Sequence, residues 1–93
     1  MKYYYNGIKV RTSNNTYTHG VMYGNKMVAC CGSEDLALKR ARSEVKYRTE
    51  QYIENKKFAE NHPEFMNEKA LEWLKSRFEL ISTIRVVELE VRP

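Results

Sequence analysis

The chain changes character at Gly32-Ser33-Glu34-Asp35, and this boundary restricts the fold to a β-rich first third followed by helices. Residues 2 to 31 are rich in Tyr, Thr, Val and Ile and are interrupted by turn dipeptides. At the boundary, the Ser33 side chain can accept a hydrogen bond from a free amide of a first helical turn. Glu34 and Asp35 would then lie at the positive end of the helix dipole. The sequence therefore predicts a helix beginning after Ser33.

The β-rich segment contains three turn dipeptides, Asn6-Gly7, Asn14-Asn15 and Gly24-Asn25. The clearest hairpin joins residues 16–23 to residues 26–31 through Gly24-Asn25, since glycine supplies the positive φ that a two-residue turn needs. Asn6-Gly7 either closes a small hairpin or marks a bulge in one long first strand. We favour the bulged strand, and so predict a meander of three strands.

Two helices are predicted after the boundary. The first is about 25 residues long and carries a stripe of mostly small apolar residues at helical spacing: Ala37, Leu38, Ala41, Val45, Tyr52 and Ala59. His62-Pro63 ends it, because proline removes a backbone donor but suits the first turn of a new helix. The second helix has an apolar face with Trp73 near its margin: Phe65, Leu71, Leu74 and Phe78.

The chain closes with a strand over residues 84–91, whose last five residues alternate apolar and acidic side chains as a half-buried strand does. The order is β-β-β-α-α-β in one domain, residues 1–93. We therefore predict an α+β fold in which an antiparallel β-sheet has two helices packed on one face.

Composition limits the partners and the compartment. The net charge of +4 permits an anionic partner without requiring one. Cys30 and Cys31 are adjacent and poorly placed to bond to each other, which favours a reducing compartment. Residues 1–6 lack an apolar signal core, and no apolar run has the length of a membrane span. We expect a soluble cytoplasmic protein with no membrane partner.

The sequence contains no clear catalytic signature. A Cys-His pair from His19 with Cys30 or Cys31 is conceivable, but consecutive strand residues point to opposite faces, and nothing predicts an oxyanion hole. Two distant histidines and one vicinal cysteine pair match no zinc spacing. We therefore predict a protein that is not an enzyme and that has no metal and no cofactor.

Three groups of residues are candidates for binding. Arg11, Thr12, Ser13, Tyr17 and His19 flank a turn, where they either converge on an anion or are simply solvated. A row of cations on one helix face either follows a nucleic-acid backbone or is an ordinary solvated face with interleaved glutamates: Lys39, Arg42 and Lys46. Tyr4 lies on the strand face opposite Tyr3 and Tyr5, so at least one ring of this run lies away from the core.

The residues Arg11-Thr12-Ser13 and Tyr17-Thr18-His19-Gly20-Val21, followed by a Ser-capped, Ala-rich helix, resemble short open reading frames of bacteriophages and mobile elements. The resemblance covers the N-terminal third. Proteins of this kind include anti-CRISPR and other anti-defence proteins, which occupy a surface of a host nuclease or sequester a nucleotide signal. The resemblance implies an inhibitor of a host defence protein or nucleoprotein complex, and it assigns no functional residues.

Our leading hypothesis is such an inhibitor, acting by steric and electrostatic contact. Its predicted anchors are aromatic, arginine and histidine side chains: Tyr4, Arg11, Tyr17, His19 and Tyr23. The first alternative is a small nucleic-acid-binding module that uses the basic row and stacks bases on sheet tyrosines. The second is a protein that sequesters a nucleotide messenger, in a pocket between subunits. A second copy is also a candidate partner through the final strand, although Glu88 and Glu90 oppose such pairing.

Overall fold

The computed structural model describes all residues, Met1–Pro93, and has the predicted α+β architecture with six strands and two α-helices. A single 3₁₀ turn, Pro63–Phe65, separates the helices. The elements in chain order are β1 Lys2–Tyr5, β2 Ile8–Thr12, β3 His19–Tyr23, β4 Lys26–Cys31, α1 Glu34–Asn61, α2 Glu68–Ile81, β5 Arg85–Glu88 and β6 Glu90–Arg92.

Two tight turns fold the first third into two hairpins. Asn6 and Gly7 have φ angles of 51° and 77°, as a type I′ turn requires at both central positions. The bulged single strand that we favoured is therefore wrong, and the alternative hairpin, β1–β2, is present. Gly24 has a φ of 59° and confirms the second hairpin, β3–β4. The strand β3 begins at His19, later than expected.

The strands form two three-stranded sheets where the sequence predicted one. The first has the order β2-β1-β6 and the second β4-β3-β5, and every strand pair is antiparallel. The final strand is divided at Leu89, whose N–H donates to the carbonyl of Thr18 at 3.0 Å. This division allows β5 to pair with β3 while β6 pairs with β1, and it leaves β5 at the edge of its sheet.

Helix α1 begins as predicted, since the Ser33 Oγ accepts a hydrogen bond from the Leu36 N–H at 3.2 Å. It runs for 28 residues, and its N-terminal half crosses the β4-β3-β5 sheet, where Ala37 is fully buried. Leu38 and Val45 remain 39% and 40% exposed, because they lie about 80° to 100° around the helix from Ala37. They form an apolar flank outside the buried stripe.

Helix α2 packs mainly against the C-terminal half of α1. Pro63 starts only the 3₁₀ turn, and α2 is capped by Asn67, whose Oδ1 accepts from the Ala70 N–H at 2.9 Å. Leu74 is buried, whereas Leu71 and Phe78 are more than half exposed. The arrangement with both helices on one sheet face is thus replaced by a helical hairpin that extends beyond the sheet. Neither helix has the length and apolar character needed to cross a membrane.

The molecule is elongated, 54 × 23 × 18 Å, and its core is small. Only 8 of 93 residues are buried. The accessible surface is 6792 Å², whereas a compact monomer of this mass exposes about 5,600 Å². The chain therefore leaves about 1,200 Å² more surface in solvent than a compact domain of its size.

Candidate binding surfaces

Tyr3 organises the loop between β2 and β3. Its side chain is fully buried, and its hydroxyl donates to the carbonyl oxygen of Asn15 while accepting from the N–H of Tyr17 at 3.0 Å. Its ring meets that of Tyr17 edge to face, with centroids 5.2 Å apart. Ser13 further tightens the loop, since its Oγ accepts from the Asn15 N–H at 3.1 Å. The polar segment is thus held in a defined shape by a core residue.

Three of the predicted binding residues, Arg11, Ser13 and Tyr17, come together around this loop. The guanidinium carbon of Arg11 lies 5.1 Å from the Tyr17 ring centroid. Hydrogen bonds from Asn15 and Ser13 lower the pKa of Tyr17 below its usual value near 10. Burial raises the pKa of the neighbouring Cys30, an effect that Arg11 partly opposes. The cluster combines a cation, a phenol and a protonated thiol.

The remaining residues predicted in this segment lie elsewhere. Thr12 is exposed and pairs with Lys2 at the open end of the β1–β2 hairpin. The Nδ1 of His19 is 2.7 Å from the Thr18 hydroxyl, and His19 lies opposite Glu88 on β5. None of the five grooves on the structure is lined by Arg11, Thr12, Ser13 or Tyr17.

Of the two other predicted anchors, one is half-buried and one belongs to the core. Tyr4 has the guanidinium of Arg92 4.2 Å from its ring centroid. Tyr23 is only 9% exposed, and the guanidinium carbon of Arg48 lies 4.0 Å from its ring centroid. The five predicted anchors therefore do not share one exposed face.

The basic row on α1 is exposed as predicted. Glu44 forms ion pairs with Arg40 at 3.1 Å and Arg48 at 3.3 Å. Lys39, Arg42 and Lys46 form no ion pair. The three cations of the row thus have no compensating carboxylate in contact.

A different surface carries four of the five exposed aromatic side chains. We define the aromatic face as Tyr47 and Phe58 on α1, Phe65 in the 3₁₀ turn, and Trp73 with Arg77 on α2. The aromatic side chains are between 44% and 57% exposed. The guanidinium of Arg77 lies 5.1 Å from the Trp73 ring centroid, and the rings of Phe58 and Phe65 are stacked with centroids 6.1 Å apart.

Two grooves divide the aromatic face, and Trp73 lines both. One, of about 220 Å³, also contains Tyr47, Tyr23 and Arg77. The other, of about 280 Å³, is lined by Phe58, Phe65 and Leu74 and is almost wholly apolar. Tryptophan, tyrosine and arginine are enriched among the residues that contribute most to binding at protein interfaces, and all three line the first groove.

Sequence reasoning did not assign the aromatic face. Tyr47 and Phe58 lie outside the narrow stripe that predicted the buried side of α1, and Trp73 was placed only near a margin of α2. The sequence did contain one signal. Tyr47 and Phe58 are aromatic residues on a long helix, at positions outside the predicted buried stripe and therefore facing solvent. Their convergence depends on the fold of the α1–α2 hairpin.

The two cysteines are free, and His19 lies directly opposite Cys31 on β4. The hydrogen-bond partner of the His19 ring is Thr18 rather than a cysteine. No group of three or more His, Cys, Asp or Glu side chains is close enough to hold a metal ion.

No family model matches the chain, and no curated protein sequence and no solved structure is significantly similar to it. The fold and the surfaces define it as a small α+β protein in which two three-stranded sheets carry a projecting helical hairpin with an exposed aromatic face.

Proposed function

We propose that this chain is a non-enzymatic binding protein that inhibits a protein partner by occupying its surface with the aromatic face. The observation that carries the proposal is Trp73, 44% exposed, lying between two grooves with the Arg77 guanidinium against its ring. Tryptophan, tyrosine and arginine are the residues that most often act as interface hot spots. The hairpin exposes all three side by side.

The particular partner we propose is a host defence protein or nucleoprotein complex. The resemblance of the N-terminal third to phage and mobile-element reading frames supports this choice. Inhibition by contact requires no reactive group, and the raised pKa of Cys30 disfavours the thiolate that a cysteine nucleophile needs. The basic row would steer association with an acidic or nucleic-acid-bound partner.

The test is co-purification of the chain with proteins of a phage-sensitive host, followed by titration of the reconstituted complex. Trp73→Ala should weaken the complex at least about 30-fold, as loss of a hot spot of about 2 kcal/mol does. Ile8→Ala is the matched control, because Ile8 is 70% exposed but lies on β2 at the other end of the molecule.

Phage plating on a host with an active CRISPR system then tests the inhibitory part of the proposal. Expression of the chain should restore plaque formation, and Trp73→Ala should abolish the restoration. Equal loss of binding in Trp73→Ala and Ile8→Ala would contradict the aromatic face as the contact. A stable complex without restored plaque formation would support the proposed binding and contradict the proposed inhibition of host defence.

The unpaired cations Lys39, Arg42 and Lys46 favour nucleic-acid binding as a second candidate function. Three phosphate contacts predict that the logarithm of the binding constant falls with the logarithm of salt with a slope of about −2.7. Replacing all three by alanine should remove this slope, whereas Trp73→Ala should leave it unchanged. A shallow slope in the wild type would exclude this candidate.

A further inference from the structure

The edge of β5 and the adjoining flank of α1 form an unpartnered surface distinct from the aromatic face. A groove of about 490 Å³ lies between them, lined by Leu38 and Ala41 of α1 and by Ile84, Val86 and Val87 beside or within β5. Val45, one heptad after Leu38 on the same flank, is also exposed. We propose that a second copy of this chain covers this surface, with β5 pairing antiparallel to β5 of the partner copy.

The main-chain geometry shows which groups are available at this edge. The Leu89 N–H donates to Thr18, on the side of β3. Because the N–H and C=O of successive strand residues point to alternate sides, Val87 and Arg85 also face β3, whereas Val86 and Glu88 face the open edge. The groups of Val86 and Glu88 are therefore free to pair with another strand.

The symmetry of a dimer limits the register to two centres. Antiparallel neighbours related by a two-fold axis present the same sheet face, and the axis passes beside a pair of identical residues that is either hydrogen-bonded, as Val86 would be, or not hydrogen-bonded, as Val87 would be. The proposed register is centred on Val86, whose outward main-chain groups then bond to those of its own copy. Centring on Val86 places Val86 opposite its own copy and Glu88 opposite Ile84 of the other copy. The two Glu88 carboxylates are then not directly opposite each other, so charge repulsion between them does not prevent pairing.

The other three sheet edges carry features that discourage pairing. The edge strand β2 exposes Lys9 and Arg11. The edge strand β4 begins with Lys26 and has an irregular register against β3. The edge strand β6 is only three residues long and contains an ion pair between Glu90 and Arg92. The centre of β5 is Val86-Val87, and its register against β3 is regular. Of the four edges, β5 alone combines a regular register with two adjacent apolar residues at its centre, although it is flanked by Arg85 and Glu88.

The exposed surface of the whole chain leaves room for one more interface. The elongated chain exposes in total about 1,200 Å² more than a compact monomer of its mass, and a stable interface of standard size buries about 800 Å² on each partner. In the two-fold arrangement both α1 helices lie on the same face of the joined sheet. The flank with Leu38 and Val45 then faces the other copy, and the two aromatic faces point in opposite directions. This pairing does not depend on the function proposed above.

Light scattering coupled to gel filtration tests the proposal. The wild type should have twice the 11.0 kDa chain mass, and Leu38→Lys should have the mass of one chain with an unchanged circular dichroism spectrum. Leu36→Lys is the matched control, since Leu36 is 55% exposed on the opposite flank of α1, and this variant should stay dimeric. A monomeric wild type, or dissociation by both substitutions equally, would overturn the proposal.

Disulfide trapping tests the register independently of a lysine substitution. In a Cys30→Ser/Cys31→Ser background, Val86→Cys should yield a cross-linked dimer on oxidation, because hydrogen-bonded partners have Cα atoms about 5.5 Å apart, within the range for a disulfide. Val87→Cys should remain uncross-linked, since Val87 lies opposite Arg85 of the other copy. Cross-linking of Val87→Cys instead, or of neither variant, would overturn the Val86-centred pairing.

Discussion

The two ends of this molecule differ in how they use apolar side chains. The sheet end, meaning the strands and the part of α1 that crosses the β4-β3-β5 sheet, holds five of the seven buried apolar residues. Only Ala59 and Leu74 are buried in the part of the hairpin that extends beyond the sheet. The hairpin nevertheless exposes eight large hydrophobic side chains: Tyr47, Ile53, Phe58, Phe65, Met66, Leu71, Trp73 and Phe78. The sheet end therefore provides most of the stability of the fold, and the hairpin provides most of the surface available to a partner.

The same helix serves both ends. The buried stripe of α1 begins on the β4-β3-β5 sheet at Ala37 and ends against α2 at Ala59. Where the stripe lies on the sheet, it completes a layered core. Where it meets α2, it contacts a single 14-residue helix, which is too narrow to cover the aromatic side chains on either flank. The long helix thus connects a folded core to an interaction surface.

The largest expected effect is the difference in free energy of unfolding between a substitution in the core of the sheet end and one in the exposed hairpin. Tyr3→Ala removes a fully buried aromatic ring and should lower the free energy of unfolding by about 3 to 5 kcal/mol. Phe58→Ala removes a ring that is 56% exposed and should cost about 1 kcal/mol or less. Urea denaturation followed by circular dichroism measures both.

Tyr3→Phe serves as the control for the hydroxyl group. It keeps the ring but leaves the Asn15 carbonyl and the Tyr17 N–H without their shared partner, which should cost about 1 to 3 kcal/mol. Equal destabilisation by Tyr3→Ala and Phe58→Ala would contradict the division between a stabilising end and an exposed end.

Removing each helix cap in turn tests whether the two ends of the molecule unfold together. Ser33 and Asn67 make equivalent N-cap hydrogen bonds to Leu36 and Ala70, and replacing either by alanine should cost about 1 kcal/mol. Ser33→Ala should reduce hydrogen-exchange protection in α1 and in the sheet beneath it. Asn67→Ala should reduce protection in α2 and leave β3 unchanged, because few buried contacts connect α2 to the sheets. Equal loss of protection in β3 for both variants would show that the hairpin unfolds together with the core.

The elements that the sequence predicted correctly are those that local chemistry determines. Ser33 caps α1, Gly24 supplies the positive φ of its turn, and β4 has the predicted bounds, Lys26–Cys31. At Asn6-Gly7 a bulge and a turn have similar sequence signals, and the pairing of β1 with β2 decides between them. The division of the final strand depends on the Leu89 contact with Thr18, a tertiary hydrogen bond between residues distant in sequence.

The candidate surfaces show the same limit. Arg11, Ser13 and Tyr17 were predicted together because they are close in sequence, and Tyr3 holds them together in the structure. The aromatic face is assembled from α1, the 3₁₀ turn and α2, so no sequence window contains it. Periodicity identified part of the buried stripe of α1, since Ala37 and Ala59 are buried whereas Leu38 and Val45 of the same predicted stripe are exposed. It could not show that the second helix would cover so little of the first.

The smallest expected effect concerns Cys30 at the sheet end. Burial raises its pKa above the usual 9.0, so the folded state holds the thiol proton more tightly than the unfolded state. The contribution of this group to stability is thus complete below pH 9.0 and is lost as the pH rises through the higher pKa of the folded state.

In Cys31→Ser, the rate of iodoacetamide alkylation should reach half its maximum above pH 9.0. Arg11→Ala should move this midpoint higher, because the Arg11 charge favours the thiolate. Lys9→Ala makes the same change in charge on the same strand and should move it less. A midpoint below pH 9.0 would show that burial at the sheet end does not raise the pKa of Cys30, and a decrease on removing Arg11 would show that the Arg11 charge does not favour the thiolate.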